Sequence, residues 1–225
     1  MLEIKHKEVP RKLANRKEKG IPENPSNSLN SFNGKDELKV ALTHLTFGLC
    51  AYCENRLDTN LGSHIEHILS KSLNPELTFE YTNLMLSCIQ DGKVEDDTDT
   101  NPVSCGHSPL KKENNYNEEL FIKPTELNVE KYFSFEVNGK IIPKAGLNSV
   151  ETQKVEHTLD VLNLNCNRLT RQRHKIIVEG YEIISELKSD EEINNLISLE
   201  TDKVNGKYLF SFINLRRQHF ERWLK

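Results

Sequence analysis

The chain has 225 residues, 36% of them hydrophobic and 28% charged, with a formal net charge of −4. This length allows one large domain or two small ones, and so mild a charge neither predicts nor excludes a nucleic-acid partner, because phosphate binding follows local Lys/Arg patches rather than the total. No apolar run approaches the roughly 20 residues that span a bilayer. The opening Met1-Leu-Glu-Ile-Lys-His-Lys7 also lacks the apolar core of a signal peptide, so a cytoplasmic protein with no membrane association is expected.

In chain order, residues 1–34 carry Lys5, Lys7, Arg11, Lys12, Arg16, Lys17 and Lys19, followed by the turn-rich run Ile21-Pro-Glu-Asn-Pro-Ser-Asn-Ser28. Without sustained periodicity, they read as an extended basic N-terminal arm that is either solvated or in contact with a partner or nucleic acid. A helix is predicted from Asp36, taken as its cap. Leu38, Leu42, Leu45 and Leu49 recur at helical spacing, and Gly48 lies near the end. Asp91–Thr100 is acidic and poor in apolar residues, so a solvated loop is expected there. Lys131–Val137 alternates, meets Asn138-Gly139, and continues as Lys140-Ile-Ile-Pro143. Asn-Gly between two such runs predicts a β-hairpin, since both central residues must tolerate positive φ. Helical patterns follow over Val150–Leu164, Arg168–Leu187 and Tyr208–Leu224. Arg168, Arg171, Arg173, His174 and Lys175 form a basic cluster on the second of these, read as a phosphate contact or a solvated face. Tyr208–Leu215 reads as core or as a docking surface, core being favoured.

The chemistry lies between Cys50 and His107. Five cysteines in a reducing compartment point to metal or redox use rather than disulfides. Cys166 stands apart and is expected to be a buried thiol. Cys50-Ala-Tyr-Cys53 has the spacing at which two thiolates reach one tetrahedral zinc from a tight turn, and Cys88 and Cys105 supply the other half of a four-cysteine site. A redox pair shares the CxxC spacing, but no parallel βαβ pattern surrounds it here. Between the halves lies Ser63-His-Ile-Glu-His-Ile-Leu-Ser70. In a strand, His64 and Glu66 share one face and His67 points to the other. A carboxylate is a hard ligand suited to Mg2+ or Mn2+, and an imidazole accepts a proton near neutral pH. Taken without their neighbours, these residues would be surface histidines beside an ordinary glutamate.

The ordered set, Cys-x-x-Cys, His-Ile-Glu-His-Ile, Asn83-Leu before Cys88, and Cys105-Gly-His107, resembles the HNH endonuclease motif in its zinc-knuckle variant. With Thr158-Leu-Asp-Val-Leu-Asn-Leu-Asn165 and Arg168, the chain resembles the retron-associated HNH endonuclease family, which includes the HNH component of the Septu anti-phage defence system. The resemblance implies an α+β protein: a zinc-stabilised ββα-metal motif within a mainly α-helical chain with one β-hairpin. It implies a nuclease domain over residues 35–125 and a helical partner- or nucleic-acid-binding domain over 126–225. His67 would be the general base, Glu66 and His107 the ligands of a catalytic Mg2+ or Mn2+, and Asn83 the residue that fixes the loop. Cys50, Cys53, Cys88 and Cys105 would hold a structural zinc, while His64 has no settled role. The implied partners are a DNA or RNA substrate, an ABC/SMC-like ATPase, and in some systems a retron reverse transcriptase with its DNA–RNA product. Two departures from the family pattern stand out. Glutamate occupies the position before the base where aspartate is commoner, and Ser108-Pro-Leu separates His107 from Lys111-Lys112. The competing expectations are an RNase that cuts tRNA on the same motif and a catalytically silent zinc-knuckle adaptor.

Overall fold

The structure, a computed structural model, describes residues 1–90, 102–112 and 116–224. The acidic loop predicted over Asp91–Thr100 lies outside them.

The first 34 residues do not form an extended arm. They contain helices α1 (Arg11–Lys17) and α2 (Pro25–Ser28). Asn24 caps α2 by accepting from the Asn27 N–H, and Pro25 occupies the first turn, where its missing N–H costs nothing. Met1, Ile4, Leu13, Leu29 and Phe32 are buried in the main core. These apolar residues are too irregularly spaced to show a period, yet each anchors one point of the segment. Most of the basic side chains between them remain exposed.

Helix α3 (Lys35–Leu45) buries Leu38 and Leu42 as the spacing predicts, but Gly34 is its cap. Asp36 lies in its first turn, where a negative charge favours the helix dipole. Gly48 then turns the chain at φ +80°, a conformation glycine adopts without Cβ strain. Strands β1 (Ser63–His67) and β2 (Leu84–Cys88) pair antiparallel, Ser63 opposite Cys88 and His67 opposite Leu84. A 3-10 turn at Cys105–His107 leads into the short helix α4 (Pro109–Lys112).

The predicted hairpin forms from β3 (Phe133–Phe135) and β4 (Ile141–Pro143). Four helices follow: α5 (Ser149–Val161), α6 (Asn167–Glu186), α7 (Asp190–Thr201) and α8 (Ile213–Phe220). The sequence reading omits α7, and it starts the last helix too early. Residues 208–211 are irregular, Phe212 is left-handed, and the helix begins only at Ile213. Leu209, Phe212, Ile213 and Leu215 are buried, so this stretch supplies core.

The main core contains residues from the N-terminal segment, the β1–β2 pair, the hairpin, α5 and α6. A smaller cluster of Ile184, Ile197 and Phe220 joins α6, α7 and α8. No helix among the described residues is long and apolar enough to cross a membrane. The architecture is thus mixed α+β, with two small antiparallel sheets held among helices.

Candidate active site and cysteine cluster

The cysteine cluster is built from two turns. In the first, Leu49 pairs with Arg56, the Cys50 N–H donates to the Asn55 carbonyl, and the Glu54 N–H donates to the Cys50 carbonyl. This tight hairpin brings Cys50 and Cys53 to one side. In the second, Cys88 ends β2, and the Cys105 N–H donates to the Leu162 carbonyl at the end of α5. The chain leaves Cys53 and Cys88 through left-handed residues, Glu54 (φ +63°) and Ile89 (φ +71°), and Cys105 is itself at φ +62°. Three non-glycine residues in that region are strained, and such strain persists only where the surroundings over-determine it.

The four sulfur atoms lie within 4.8 Å of one another, all from buried residues, and all are free thiols. The Cys53 and Cys88 sulfurs are 3.7 Å apart. Zn–S bonds of about 2.3 Å in a tetrahedron give an S–S edge of about 3.8 Å, so the donor set fits zinc. The Cys88 N–H also donates to Cys50 Sγ at 3.3 Å, a bond suited to a thiolate. Burial opposes ionisation of Cys50, but hydrogen bonds from Cys105, Cys53 and Cys88 outweigh it and hold this thiol well below the usual range.

Positive charge stands behind the cluster. Arg168 Nη2 donates to Ser104 Oγ (2.8 Å), which lies 3.6 Å from Cys105 Sγ. Arg173 is fully buried, donating to the Gly139 and Leu164 carbonyls. The basic cluster read from the sequence therefore does not form one face. Arg168 and Arg173 turn inward, while Arg171, His174 and Lys175 are exposed, because α6 presents its first turns to the core on one side only.

The second constellation sits on β1. Strand alternation sends Ile65 and His67 inward and leaves His64 and Glu66 on the opposite face. A cleft of about 460 Å³ is lined by residues that include His64, Glu66, His67, Lys71, Gly106, His107 and Lys111. His67 Nε2 lies 3.0 Å from the Thr78 carbonyl. That oxygen can only accept, so Nε2 carries the proton and Nδ1 the lone pair. Burial, above all, pushes the His67 imidazole below its ordinary value, which keeps the ring neutral. The loop behind it is pinned by Asn83. Its Oδ1 accepts from the Leu69 N–H (2.8 Å), and its Nδ2 donates to the Leu69 and Leu77 carbonyls (3.0 and 3.4 Å).

Glu66 is held from two sides, Oε1 by Lys111 Nζ (3.2 Å) and Oε2 by His64 Nε2 (3.1 Å). Burial works to raise its carboxyl, but Lys111, then His64 and His67, outweigh it and keep the acid below the usual range. His107, predicted to share an ion with Glu66, packs against His64, whose Nε2 faces Glu66 Oε2. The two imidazoles stack with centroids 3.9 Å apart, and His107 Nε2 lies 3.2 Å from the Gln90 carbonyl. Among the described residues, only the cysteines form a group of three or more ligating atoms that are mutually close.

Lys111 and Lys71 are the additions to the expected set. Lys111 is 4% exposed and donates to the His67 and Ile68 carbonyls, so it braces the strand end rather than reaching outward to a phosphate. Lys71 is the more accessible ammonium lining the cleft. Nothing in the Ser70-Lys-Ser72 run marks it, whereas the position of Lys111 just after Cys-Gly-His was a usable signal.

No protein-family model matches the chain. A protein named as the retron Vc95 HNH endonuclease, from Vibrio cholerae serotype O1 biovar El Tor, is 32% identical over 154 residues, covering 67% of this chain and 68% of that one. The Septu protein PtuB of Bacillus thuringiensis is 30% identical over 212 residues, covering 93% of this chain and 72% of that one. The chain belongs to the retron- and Septu-associated HNH endonuclease family. A relative named as the retron Ec83 HNH endonuclease, from Escherichia coli, is 28% identical, with 69% of this chain and 72% of that one aligned. Membership in this HNH endonuclease family supports a nuclease role for the chain.

Proposed function

We propose that the chain is a metal-dependent HNH endonuclease that hydrolyses phosphodiester bonds as the effector of an anti-phage defence system. In this reading β1, β2 and α4 are its ββα-metal motif. The observation that carries the reading is the tautomer of His67. Its Nε2–H is committed to Thr78, which leaves Nδ1 as a neutral acceptor on a residue that lines a cleft beside an ionised carboxylate.

His67 takes the proton of a water molecule at Nδ1, and that water attacks the phosphorus atom as the bond to the 3′-oxygen breaks, the departing oxygen taking a proton from solvent water. The Thr78 carbonyl stabilises the imidazolium that results, and Asn83 holds the loop that supplies this carbonyl. Glu66 and His107 would hold the divalent cation, Mg2+ or Mn2+. When bound, the cation neutralises charge on the phosphate and on the leaving 3′-oxygen. Lys71, which lines the cleft, provides a further positive charge. Cys50, Cys53, Cys88 and Cys105 would hold a structural zinc, which four thiolates would close to substrate and leave to serve the fold. The relatives' retron and Septu names support partners within a defence system; the family resemblance makes these an ABC/SMC-like ATPase and, in retron settings, a reverse transcriptase with its DNA–RNA product.

The test is cleavage by purified protein, with and without its ATPase, against DNA and tRNA substrates, each with Mg2+ or Mn2+. His67→Ala is expected to lose roughly 10²–10⁴-fold in rate while retaining its fold and about one zinc per chain. Near-normal cleavage by this variant would remove His67 from the mechanism. A wild-type protein that binds the ATPase yet cuts neither substrate under any of these conditions would leave the adaptor reading in its place. Cleavage of tRNA alone would identify an RNase.

A further inference from the structure

We infer that His64 is a second nitrogen ligand, beside His107, of the cation in the His67 cleft, so that two imidazoles and one carboxylate form a site that takes Mn2+ more tightly than Mg2+. The inference rests on the nuclease reading of that cleft and adds to it a ligand and a metal preference.

The first observation is a tautomer. His64 Nδ1 lies 2.9 Å from the Ile89 carbonyl, an oxygen that only accepts, so this nitrogen carries a proton. In the neutral ring Nε2 then holds a lone pair, and it faces Glu66 Oε2 at 3.1 Å. Two electron-rich atoms at that distance need a positive centre between them, either a second imidazole proton or a cation. A histidine whose far N–H is anchored on a backbone carbonyl is oriented as metal-binding histidines are. The separation also fits. Neighbouring ligands in an octahedral site with bonds of about 2.1 Å stand about 3.0 Å apart.

The second observation is how firmly the carboxylate is aimed. Lys111 Nζ holds Glu66 Oε1 at 3.2 Å and is itself anchored on the His67 and Ile68 carbonyls at 3.1 and 3.0 Å. Oε2 is therefore the oxygen left for His64 and a shared ion.

The third is Gly106. A Cβ at this position would stand 2.6 Å from Glu66 Oε2 and 2.8 Å from His64 Nε2. Its φ is not positive, so glycine is needed here for space rather than for backbone freedom. The chain keeps open the side of the pair that faces His107, whose ring stacks on His64.

An imidazole nitrogen determines the metal class. Mg2+ prefers oxygen ligands and retains its waters, whereas nitrogen-containing sites favour transition ions. Among metals that serve phosphoryl chemistry, Mn2+ accepts both donors.

The test uses the full zinc-loaded chain without nucleic acid, titrated with Mn2+ or Mg2+ by calorimetry and, for Mn2+, by electron paramagnetic resonance. Circular dichroism and zinc content verify each variant's fold. Wild type is expected to bind Mn2+ more tightly than Mg2+. His64→Ala should weaken Mn2+ binding by at least the roughly tenfold that loss of even an outer-shell partner costs, with little effect on Mg2+. His64→Asp should shift the preference towards Mg2+. Gly106→Ala removes no donor but fills the space, and it should weaken both ions.

His64→Ala binding Mn2+ like wild type would show that a proton, not a metal, joins His64 to Glu66. If Glu66→Gln abolishes binding in that case, only the His64 assignment falls. If wild type binds neither ion at the cleft, or Glu66→Gln binds as wild type does, the metal-dependent nuclease reading falls with it.

Discussion

Asn83 contributes no atom to the proposed reaction, yet it determines where His67 points. Its amide closes a loop from Leu69 to Leu77 with three hydrogen bonds, and the next residue, Thr78, orients the base. Buried hydrogen bonds of this kind contribute about 1 kcal/mol each, so Asn83→Ala should cost about 2–3 kcal/mol in chemical denaturation. It should also slow cleavage while leaving Mn2+ affinity close to wild type. Unchanged cleavage by a folded Asn83→Ala protein would show that the loop holds itself. Glu66→Gln is the complementary change, since it keeps the shape and removes the charge that holds a hard cation. Cleavage and defence in a plaque assay should both disappear, while zinc content and co-purification with the ATPase persist. Full defence at matched expression would count against metal-dependent cleavage at this site. Of these residues, His67, Glu66 and Asn83 were legible from their order along the chain. Lys111 was visible only as one of two lysines after Cys-Gly-His, and its burial against the carbonyls of His67 and Ile68 could not be read from spacing.

At the scale of elements, α7 shows what periodicity misses. Its apolar residues are few, and Leu199 is exposed, so the helical stripe is faint. Its start was nonetheless written in the sequence: Ser189 and Glu192 form a capping box, as Asn148 and Glu151 do at α5. Ser189→Ala should cost about 1 kcal/mol, read as a lower melting midpoint with the site unaffected. Helix α8 joins α6 and the hairpin through His219. The Tyr181 hydroxyl donates to His219 Nδ1 (2.6 Å), and Nε2–H donates to the Phe135 carbonyl (3.0 Å). Both nitrogens are thus committed with the ring neutral. Burial first, and the nearby charge of Arg222, lower its affinity for a proton below the ordinary value of 6.5, against the pull of the Phe135 carbonyl. The folded protein then binds fewer protons than the unfolded chain just below pH 6.5, so stability is lost as pH falls through that range. His219→Gln should flatten the acid side of a stability–pH curve, even at a lower overall stability. An unchanged acid slope would place the effect elsewhere.

Across the whole molecule, the cysteine cluster is the junction of the two halves of the chain. Glu54, just after Cys53, accepts from the Asn214 backbone and side chain at the start of α8. Cys105 is held by the end of α5, and Arg168 of α6 reaches Ser104 beside it. Four thiolates around one Zn2+ leave a net negative charge on the centre, and Arg168 and Arg173 bring positive charge to it from α6. Zinc bound at this cluster would therefore be coupled to folding across both halves. Removal of zinc by a strong chelator should lower the melting midpoint of the whole chain rather than release one segment. Arg168→Met, which keeps much of the volume but not the charge, should speed zinc loss to a colorimetric chelator. Zinc release at the wild-type rate would mean that the guanidinium has no electrostatic share in holding the metal.

The sequence by itself determined the chemical inventory and its order: two cysteine pairs around a His-Ile-Glu-His strand, a following asparagine, a Cys-Gly-His turn, a hairpin and several helices. These are matters of residue type and short spacing, which the covalent chain preserves in any conformation. Only the tertiary structure decided what depends on partners distant in sequence. His64 takes its tautomer from Ile89, Lys111 is drawn inward by Glu66 and the carbonyls of His67 and Ile68, and Arg168 is turned to Ser104 rather than to solvent. The basic N-terminal segment follows the same logic. Its charges are what composition displays, but the burial of Met1, Ile4, Leu13 and Phe32 decides its place. Removing scattered apolar side chains from water stabilises the segment whether or not they recur with a period.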